Sequence, residues 1–427
     1  MVRMLCLVAL IAWTTGASLA FSADWPNWRG PANDGISPET EIPFEWSPTQ
    51  NIAWKLALPG PAGATPVVAH DRIFLTSPDN EGRLLLMAIN ADGQEAWRQA
   101  VSEGNKAVRG DEGNSASPSP VTDGQHVWAF FSNGMLGCYT VDGKEVWKID
   151  TQDRYGKFSI QFGLTSTPVL DQGVLYQQLI HGEGDAKTRE ACVIALDAAT
   201  GKEIWKVDRP SDAHSENEHS YASAVMYNDG TLKFLLSHGA DFVVAHDLKD
   251  GHELWRCGDL NKKSKYDPTL RFVASPAVTK GLIVVPSAKA GPVIALKPTG
   301  HGDITQDAGL HWWTSARTPD VPSPLIVGDL VYLCMENGNL SILRAHTGEQ
   351  LDDQRTHRQR HRSSPVYADG RIYLTARDGK TTVVKAAEKV EILAENDLGE
   401  DISASPAISN GVVYLRTFNH LWAIKKK

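Results

Sequence analysis

The chain alternates between short apolar stretches of period two and turns rich in glycine, aspartate and asparagine. A period of two is expected of β-strands with one buried face, because successive side chains of a strand point to opposite sides. The stretches at 174–179 and 192–197 follow this pattern, and Gly173 and Gly201 lie in adjacent turns, where glycine permits a positive φ. The pattern predicts an all-β protein built from many short hairpins.

Two phrases recur in a fixed order. The first ends in a tryptophan after an acidic or amide turn, with copies at 88–97, 139–147, 195–205 and 245–255 and a looser copy from 295 to Trp313. The second is Ser or Thr, then proline, then an apolar stretch. Its eight copies, one of which lacks the proline, start at Thr65, Ser119, Thr167, Ser223, Ser275, Ser323, Ser364 and Ser405. Their spacing of 41 to 56 residues is roughly that of a four-stranded propeller blade. We therefore predict an eight-bladed β-propeller over residues 51–427.

The last repeat is incomplete. Residues 406–424 supply three strands, and three lysines then end the sequence. A strand that carries the missing tryptophan, Trp54, lies at 51–58. We predict that this N-terminal strand completes blade eight and closes the ring, which removes sheet edges that could otherwise pair with other chains.

The tryptophan of the first phrase could fasten one blade to the next or offer a surface on which a ligand stacks. Its recurrence at one position of the repeat favours fastening, with the ring against the backbone of a neighbouring turn. The tryptophans interpreted in this way are Trp54, Trp97, Trp147, Trp205, Trp255 and Trp313. Alignment places Asp352 and Leu393 at this position in blades six and seven, which predicts that those blades are more loosely fastened.

Residues 1–23 have the features of a secretory signal peptide: Arg3, an apolar run from Leu5 to Trp13 and small residues near Ala20. An uncleaved membrane anchor is the alternative, but the run is short for a membrane span. No other segment is predicted to cross a membrane, so we expect a periplasmic or secreted protein. Residues 24–50 are rich in tryptophan and proline and predict an arm that packs on the propeller; an arm that binds a partner is the alternative.

The net charge of −9 argues against a nucleic-acid partner. The cysteines beyond the signal peptide are widely spaced and include neither a CxxC pair nor an adjacent pair, so no disulfide pairing is specified. We interpret them as small buried side chains in strands. They are Cys138, Cys192, Cys257 and Cys334.

The phrase ALDAATGKEIW at 195–205 resembles the repeat of the pyrroloquinoline-quinone (PQQ) type of eight-bladed propeller, and this resemblance covers about 50–427. That superfamily includes quinoprotein alcohol dehydrogenases and a non-enzymatic lipoprotein that assembles outer-membrane β-barrels. The segment DWPNWRGP at 24–31 is similar to exported PQQ-repeat proteins common in planctomycete-type bacteria. The resemblance implies the fold but leaves both functions open.

For a dehydrogenase, the resemblance implies an adjacent cysteine pair against the quinone, a tryptophan floor, Ca²⁺ held by Glu, Asn and Asp, and an aspartate base. This chain has no adjacent cysteines, and its sixth and seventh repeats, of 41 residues each, lack long insertions. We therefore expect a monomeric, non-enzymatic binding scaffold of the periplasm or cell envelope. It would need no cofactor, and its partner would be an envelope protein or a glycan. A PQQ-dependent oxidoreductase that holds PQQ with Ca²⁺ is the alternative.

The loops that lead into the innermost strands are expected to share one face of the ring and to carry the function. The loop before blade four contains four side chains of types that bind metal ions: His214, Glu216, Glu218 and His219. A metal-dependent hydrolase or lyase would use them, and a solvated polar loop is the alternative.

The loop before blade seven carries the densest basic run of an acidic protein. It consists of His357, Arg358, Arg360, His361 and Arg362. Guanidinium groups bind carboxylates and sulfates well, so the run predicts a site for an anionic ligand or for an acidic loop of a partner, with a solvated loop as the alternative. The same predicted ligand face includes Arg109, Asp111, Arg271 and Arg317.

Overall fold

The structure is a computed structural model that describes residues 24–108, 113–182, 191–289, 291–315 and 317–426. The predicted signal peptide, residues 1–23, lies outside the described residues. Eight sheets are formed, one for each predicted repeat, and every sheet contains four antiparallel strands in meander order. The prediction of an eight-bladed β-propeller is confirmed.

Within each blade the strands run from the innermost to the outermost. In blades one to four they are Val67–Ala69, Arg72–Pro78, Arg83–Asn90 and Glu95–Glu103; Val121–Thr122, His126–Phe130, Met135–Thr140 and Glu145–Asp150; Val169–Asp171, Val174–Leu179, Cys192–Asp197 and Glu203–Asp208; and Val225–Asn228, Lys233–Gly239, Phe242–His246 and Glu253–Cys257. In blades five to eight they are Ala277–Thr279, Leu282–Pro286, Val293–Leu296 and His311–Ser315; Leu325–Val327, Leu330–Cys334, Asn339–Arg344 and Gln350–Arg355; Val366–Ala368, Arg371–Thr375, Lys380–Lys385 and Ile392–Asp397; and Ala407–Ser409, Val412–Arg416, His420–Lys425 and Ile52–Ala57.

Four further elements of the described residues lie in connections. The short strand Gly302–Asp303 adds to the edge of blade four in parallel. The described helices are a short α-helix, Thr151–Tyr155, and two 3₁₀ turns, Ser215–Glu218 and Lys263–Lys265.

The ring is closed by the N-terminal strand. Ile52–Ala57 pairs antiparallel with His420–Lys425, with Trp54 opposite Ala423, so blade eight combines the first strand of the chain with its last three. This closure, predicted from the incomplete last repeat, is confirmed.

Each outer-strand tryptophan lies against a glycine in the next blade. A Cβ built on Gly93 would lie 2.6 Å from the Trp54 ring, and one built on Gly201 would lie 2.7 Å from the Trp147 ring. The indole N–H of five of these tryptophans donates to a carbonyl of the same turn at 2.7 to 3.0 Å; these are Trp54, Trp97, Trp147, Trp205 and Trp313.

Blades six and seven fill the tryptophan position in other ways. Asp352 lies opposite Ile342, at the tryptophan position to which the alignment assigns it. Its carboxylate accepts a hydrogen bond from the Val390 N–H of blade seven at 2.8 Å. In blade seven the equivalent residue is Ala394, opposite Val383, and not Leu393. The turn before this strand is one residue longer in blade seven, where Lys385 N–H donates to the Glu391 carbonyl, than in blade six, where Arg344 N–H donates to the Glu349 carbonyl. The longer turn shifts a simple count by one.

Residues 24–50 form an arm that crosses one face of the ring, called here the arm face. At this face each innermost strand ends. Trp25 pairs with Val68 of blade one, and Ile36 pairs with Tyr367 of blade seven, on the other side of blade eight. Trp25 is fully buried. The arm thus packs on the propeller along its course towards the closing strand.

The core consists of apolar clusters between adjacent blades, and the four cysteines are buried in it. Cys138, Cys257 and Cys334 are free thiols, and burial raises the pKa of each to about 12. They are therefore inert at neutral pH. Among the described residues, no helix has the length and apolar character needed to span a membrane.

Candidate binding site on the funnel face

The face opposite the arm, called here the funnel face, is where each innermost strand begins. A cavity of about 380 Å³ opens on it. Its wall includes the aromatic rings of Phe162, Tyr221 and Phe418. Apolar and charged side chains both line it, a composition typical of a site that binds a ligand of mixed polarity.

Charged side chains of the funnel wall form ion pairs and influence one another electrostatically. The Glu336 carboxylate accepts two hydrogen bonds from the Arg360 guanidinium group, at 2.9 and 3.0 Å, and lies 3.7 Å from that of Arg362. The pKa of Asp320 is raised by burial and, to a smaller extent, by the nearby Glu336. Arg271 stacks on Phe162 at 4.7 Å and pairs with Glu216 at 2.9 Å.

Below the funnel the channel narrows to a neck of about 140 Å³. The serine or threonine that begins each blade lines it, and the eight hydroxyls form a closed circle. The backbone N–H of each of these residues donates to the hydroxyl oxygen of the equivalent residue in the next blade, at 2.9 to 3.1 Å. The circle runs through Thr65, Ser119, Thr167, Ser223, Ser275, Ser323, Ser364 and Ser405, then returns to Thr65.

The arm covers the other end of the neck. Trp28 lines the neck, and the adjacent Arg29 donates from one guanidinium nitrogen to the carbonyls of Asp34 and Pro324 at 2.8 and 2.9 Å. Burial lowers the pKa of Arg29 to about 10, which leaves it charged at neutral pH. The channel is therefore accessible from the funnel face.

The structure divides the basic run of blade seven. Arg360 and Arg362 line the funnel, whereas His357 hydrogen-bonds Asp378 at 2.8 Å. His361 is fully buried, and burial lowers its pKa to about 4, so it is neutral and cannot contact a ligand at the surface. Arg358 is exposed.

A rim outside the funnel carries two further exposed arginines. Arg355 and Arg358 flank an open cleft of about 620 Å³ that Asn339 and His357 also line. Neither arginine has a carboxylate partner among the described residues. Arg317, on the same rim, is paired with Asp353. Arg109 and Asp111, also predicted for this face, lie outside the described residues.

The four residues predicted to bind a metal do not converge. His214 stacks on Tyr266 at 4.3 Å, and Glu216 pairs with Arg271. Glu218 is buried, and its carboxylate has no hydrogen-bond partner among the residues that the structure describes. Burial lowers the pKa of His219. The 3₁₀ turn at this point sends consecutive side chains in different directions.

One group of three possible ligand atoms within 4.8 Å of one another occurs in the described part of the chain. It consists of Asp247, Asp250 and His252, in an exposed turn on the arm face. Its hydrogen bonds lie within the turn, with His252 Nδ1 2.6 Å from Asp250, so it is a feature of the turn itself.

Sequence reasoning missed the neck, Trp28, Asp320 and Glu336. The signal for the neck was present in the recurring Ser or Thr, which was interpreted only as the start of a strand. For Asp320 and Glu336 the sequence offers no signal, because neither belongs to a repeated phrase.

A profile of the family described as outer membrane protein assembly factor BamB matches residues 45–185, 132–307 and 272–427, which together cover the ring. The chain belongs to this family. The match confirms the resemblance drawn from the repeat.

Curated relatives fall into two kinds. Outer membrane protein assembly factor BamB of Yersinia pestis is 25% identical over 299 residues, which cover 68% of this chain and 69% of that protein. Polyvinylalcohol dehydrogenase of a Pseudomonas species is 26% identical over 196 residues, 43% of this chain. The match spans only 28% of the length of the dehydrogenase.

Among solved structures, BamB from Moraxella catarrhalis superposes with a TM-score of 0.60 at 13% identity. The superposition covers 88% of this chain and 97% of that one. At this identity the likeness establishes the fold and carries no functional residue across.

Proposed function

We propose that the protein is an exported, non-enzymatic binding scaffold of the periplasm or cell envelope, which holds an envelope protein or a glycan on its funnel face. The predicted signal peptide at 1–23 supports export. Membership of the BamB family supports the scaffold, because the family description names assembly of outer-membrane proteins.

The observation that carries the proposal is the cationic rim. Arg355 and Arg358 are exposed and have no carboxylate partner within the described part of the chain, in a protein whose net charge is −9. Unpaired guanidinium groups beside an open cleft attract carboxylates and sulfates, and they also raise association rates with an acidic partner.

The test replaces both arginines, Arg355→Ser with Arg358→Ser. Binding to immobilised heparin and to a polyglutamate peptide is measured by surface plasmon resonance. Loss of two charged contacts is expected to weaken binding by about tenfold or more and to reduce its dependence on salt. Heparin and the peptide separate a sulfated glycan from an acidic protein segment.

The matched control is Arg98→Ser with Lys157→Ser. It removes the same charge from exposed side chains that already have acidic partners. If the control weakens binding as much as the rim variant, the effect comes from net charge alone and the rim has no specific role.

The second candidate is a PQQ-dependent oxidoreductase, favoured by the sequence match to polyvinylalcohol dehydrogenase. The residues fit that cofactor poorly. The chain has no adjacent cysteines, and the one cluster of three metal-binding side chains in the described residues lies on the arm face, away from the funnel.

Reconstitution with PQQ and Ca²⁺, followed by titration of the cofactor's absorbance, separates the two candidates. Stoichiometric, saturable binding would overturn the scaffold proposal. The absence of binding by protein that still binds heparin would overturn the oxidoreductase.

A further inference from the structure

The neck beneath the funnel has unused hydrogen-bonding capacity. Each of its eight hydroxyl oxygens accepts one backbone N–H from a neighbouring blade. The eight residues are between 2 and 5% exposed. No acceptor for their O–H groups occurs among the described residues, so eight buried donors surround one small space.

The charge of the neck differs from that of the funnel. Asp320 and Glu336 line the funnel but not the neck, whereas Arg362 lines both. Arg362 is the charged side chain among the residues that line the neck, and its carboxylate neighbour, Glu336, lies 3.7 Å away on the funnel side. Of the described residues that line the neck, a negative charge would therefore meet a guanidinium group and no carboxylate.

The hydroxyls are also strengthened as donors. An O–H whose oxygen already accepts a hydrogen bond is polarised and donates more strongly, and in a site of low dielectric this effect is larger. The volume of about 140 Å³ admits a carboxylate or a similar small oxyanion. The half-buried ring of Trp28 lines the far end and limits how deep a ligand can reach.

From these observations we infer that the neck binds the anionic tip of a ligand that enters through the funnel, with a carboxylate or a small oxyanion held by the hydroxyl circle and Arg362. This inference rests on the proposed function and adds to it the chemistry of the ligand's innermost group. Such a ligand must be long enough to span funnel and neck, because its anionic tip lies below the funnel through which it enters.

The test uses bromide, an anion that anomalous X-ray scattering locates directly. Crystals of the full chain are soaked in sodium bromide, and the anomalous peak in the neck is compared between variants. Thr65→Val with Thr167→Val removes two donors of the circle while keeping the side-chain shape. We expect the wild type to show a bromide peak in the neck and the double variant to lose at least half of its height.

The matched control is Thr375→Val. It removes a hydroxyl that is 1% exposed and lies 3.2 Å from the hydroxyl of Thr381, away from the channel. The control is expected to keep the peak. Should the double variant fail to fold, Arg362→Gln provides the same comparison by removing the charge.

Two results would overturn the inference: ordered water without bromide in the neck of the wild type, or an equal bromide peak in wild type and variants. The experiment uses no partner molecule, so its outcome is separate from that of the rim. Unchanged heparin binding by the rim variant would contradict the rim proposal and leave the neck inference untouched, and failure of the neck inference leaves the rim proposal standing.

Discussion

A glycine in the turn of the next blade lies directly beneath each outer-strand tryptophan. Gly201 has a φ of +67° and lies under the Trp147 ring, so it meets two constraints, a left-handed backbone and a lack of space. Gly173 has a φ of +79°, and nothing lies within 4 Å of a Cβ built on it. A comparison of alanine substitutions at the two glycines therefore distinguishes the cost of backbone strain from the cost of displacing the tryptophan ring.

We predict that Gly201→Ala lowers the free energy of unfolding by about 1–3 kcal/mol more than Gly173→Ala does, because only the former forces the indole to move. Equilibrium denaturation in urea measures both. Equal losses would mean that φ alone makes these glycines necessary and that the tryptophan contact contributes little.

A buried carboxyl also makes stability depend on pH. Asp241 is 4% exposed, and burial, aided by the charge of Asp212, raises its pKa to about 7. In the unfolded chain it ionises near pH 4, so between about pH 4 and 7 the folded state binds more protons than the unfolded state. Its contribution to stability is present below that range and is lost as pH rises through it.

We predict that Asp241→Asn reduces the loss of stability between about pH 4 and 7. At pH 8 the variant is expected to be more stable than the wild type, by an amount on the order of a few kcal/mol. Asparagine also tolerates the positive φ of 72° at this position. Thermal unfolding at pH 4, 6 and 8 is the measurement. A parallel pH profile for variant and wild type would show that Asp241 does not carry the effect.

At the scale of elements, the arm supplies to blade seven the aromatic contact that an outer-strand tryptophan makes in other blades. In blades one, three and eight the outer-strand tryptophan tilts against an aromatic ring of the second strand, as Trp97 does on Phe74 at 6.1 Å. Blade seven has the aromatic residue, Tyr373, but no such tryptophan. Trp46 of the arm stacks on it at 6.3 Å and shares a cluster with Ala394.

We predict that Trp46→Ala costs about 3–5 kcal/mol in the free energy of unfolding, the range for deleting a buried aromatic side chain. Trp28→Ala, in the same arm but half-buried, is the control and is expected to cost clearly less. Urea denaturation again provides the measurement. Similar losses for both variants would argue that the arm contributes as a whole and that blade seven has no special need of Trp46.

At the scale of the whole molecule, the two faces of the ring have different roles. The arm joins blades one and seven across one face and places Trp28 at the neck, while the other face remains open. Blade eight is joined to blade one by the Trp54 ring of the closing strand, which lies against Gly93, and by the hydroxyl circle, in which Ser405 N–H donates to Thr65 at 3.1 Å. The channel therefore opens at the funnel face.

Much of this fold was predictable from the sequence, and much of the site was not. The tryptophan position was predictable in blade six but fell one residue away in blade seven, because the turn before the outer strand is one residue longer in blade seven and has no glycine to align on. The basic run was visible as a run, yet its members separate into a neutral buried His361, an exposed Arg358 and an Arg360 held by Glu336. Those differences arise from neighbours that the sequence does not place.

By itself, the sequence determined the number of blades, the order of strands and the origin of the closing strand, because these depend on the period and spacing of nearby residues. Only the tertiary structure decided which groups meet in the channel. The hydroxyl circle joins residues as little as 41 and as much as 340 positions apart, and it exists only when the ring is closed. Position in a repeat is a local property, whereas convergence on an axis requires every blade to be in place.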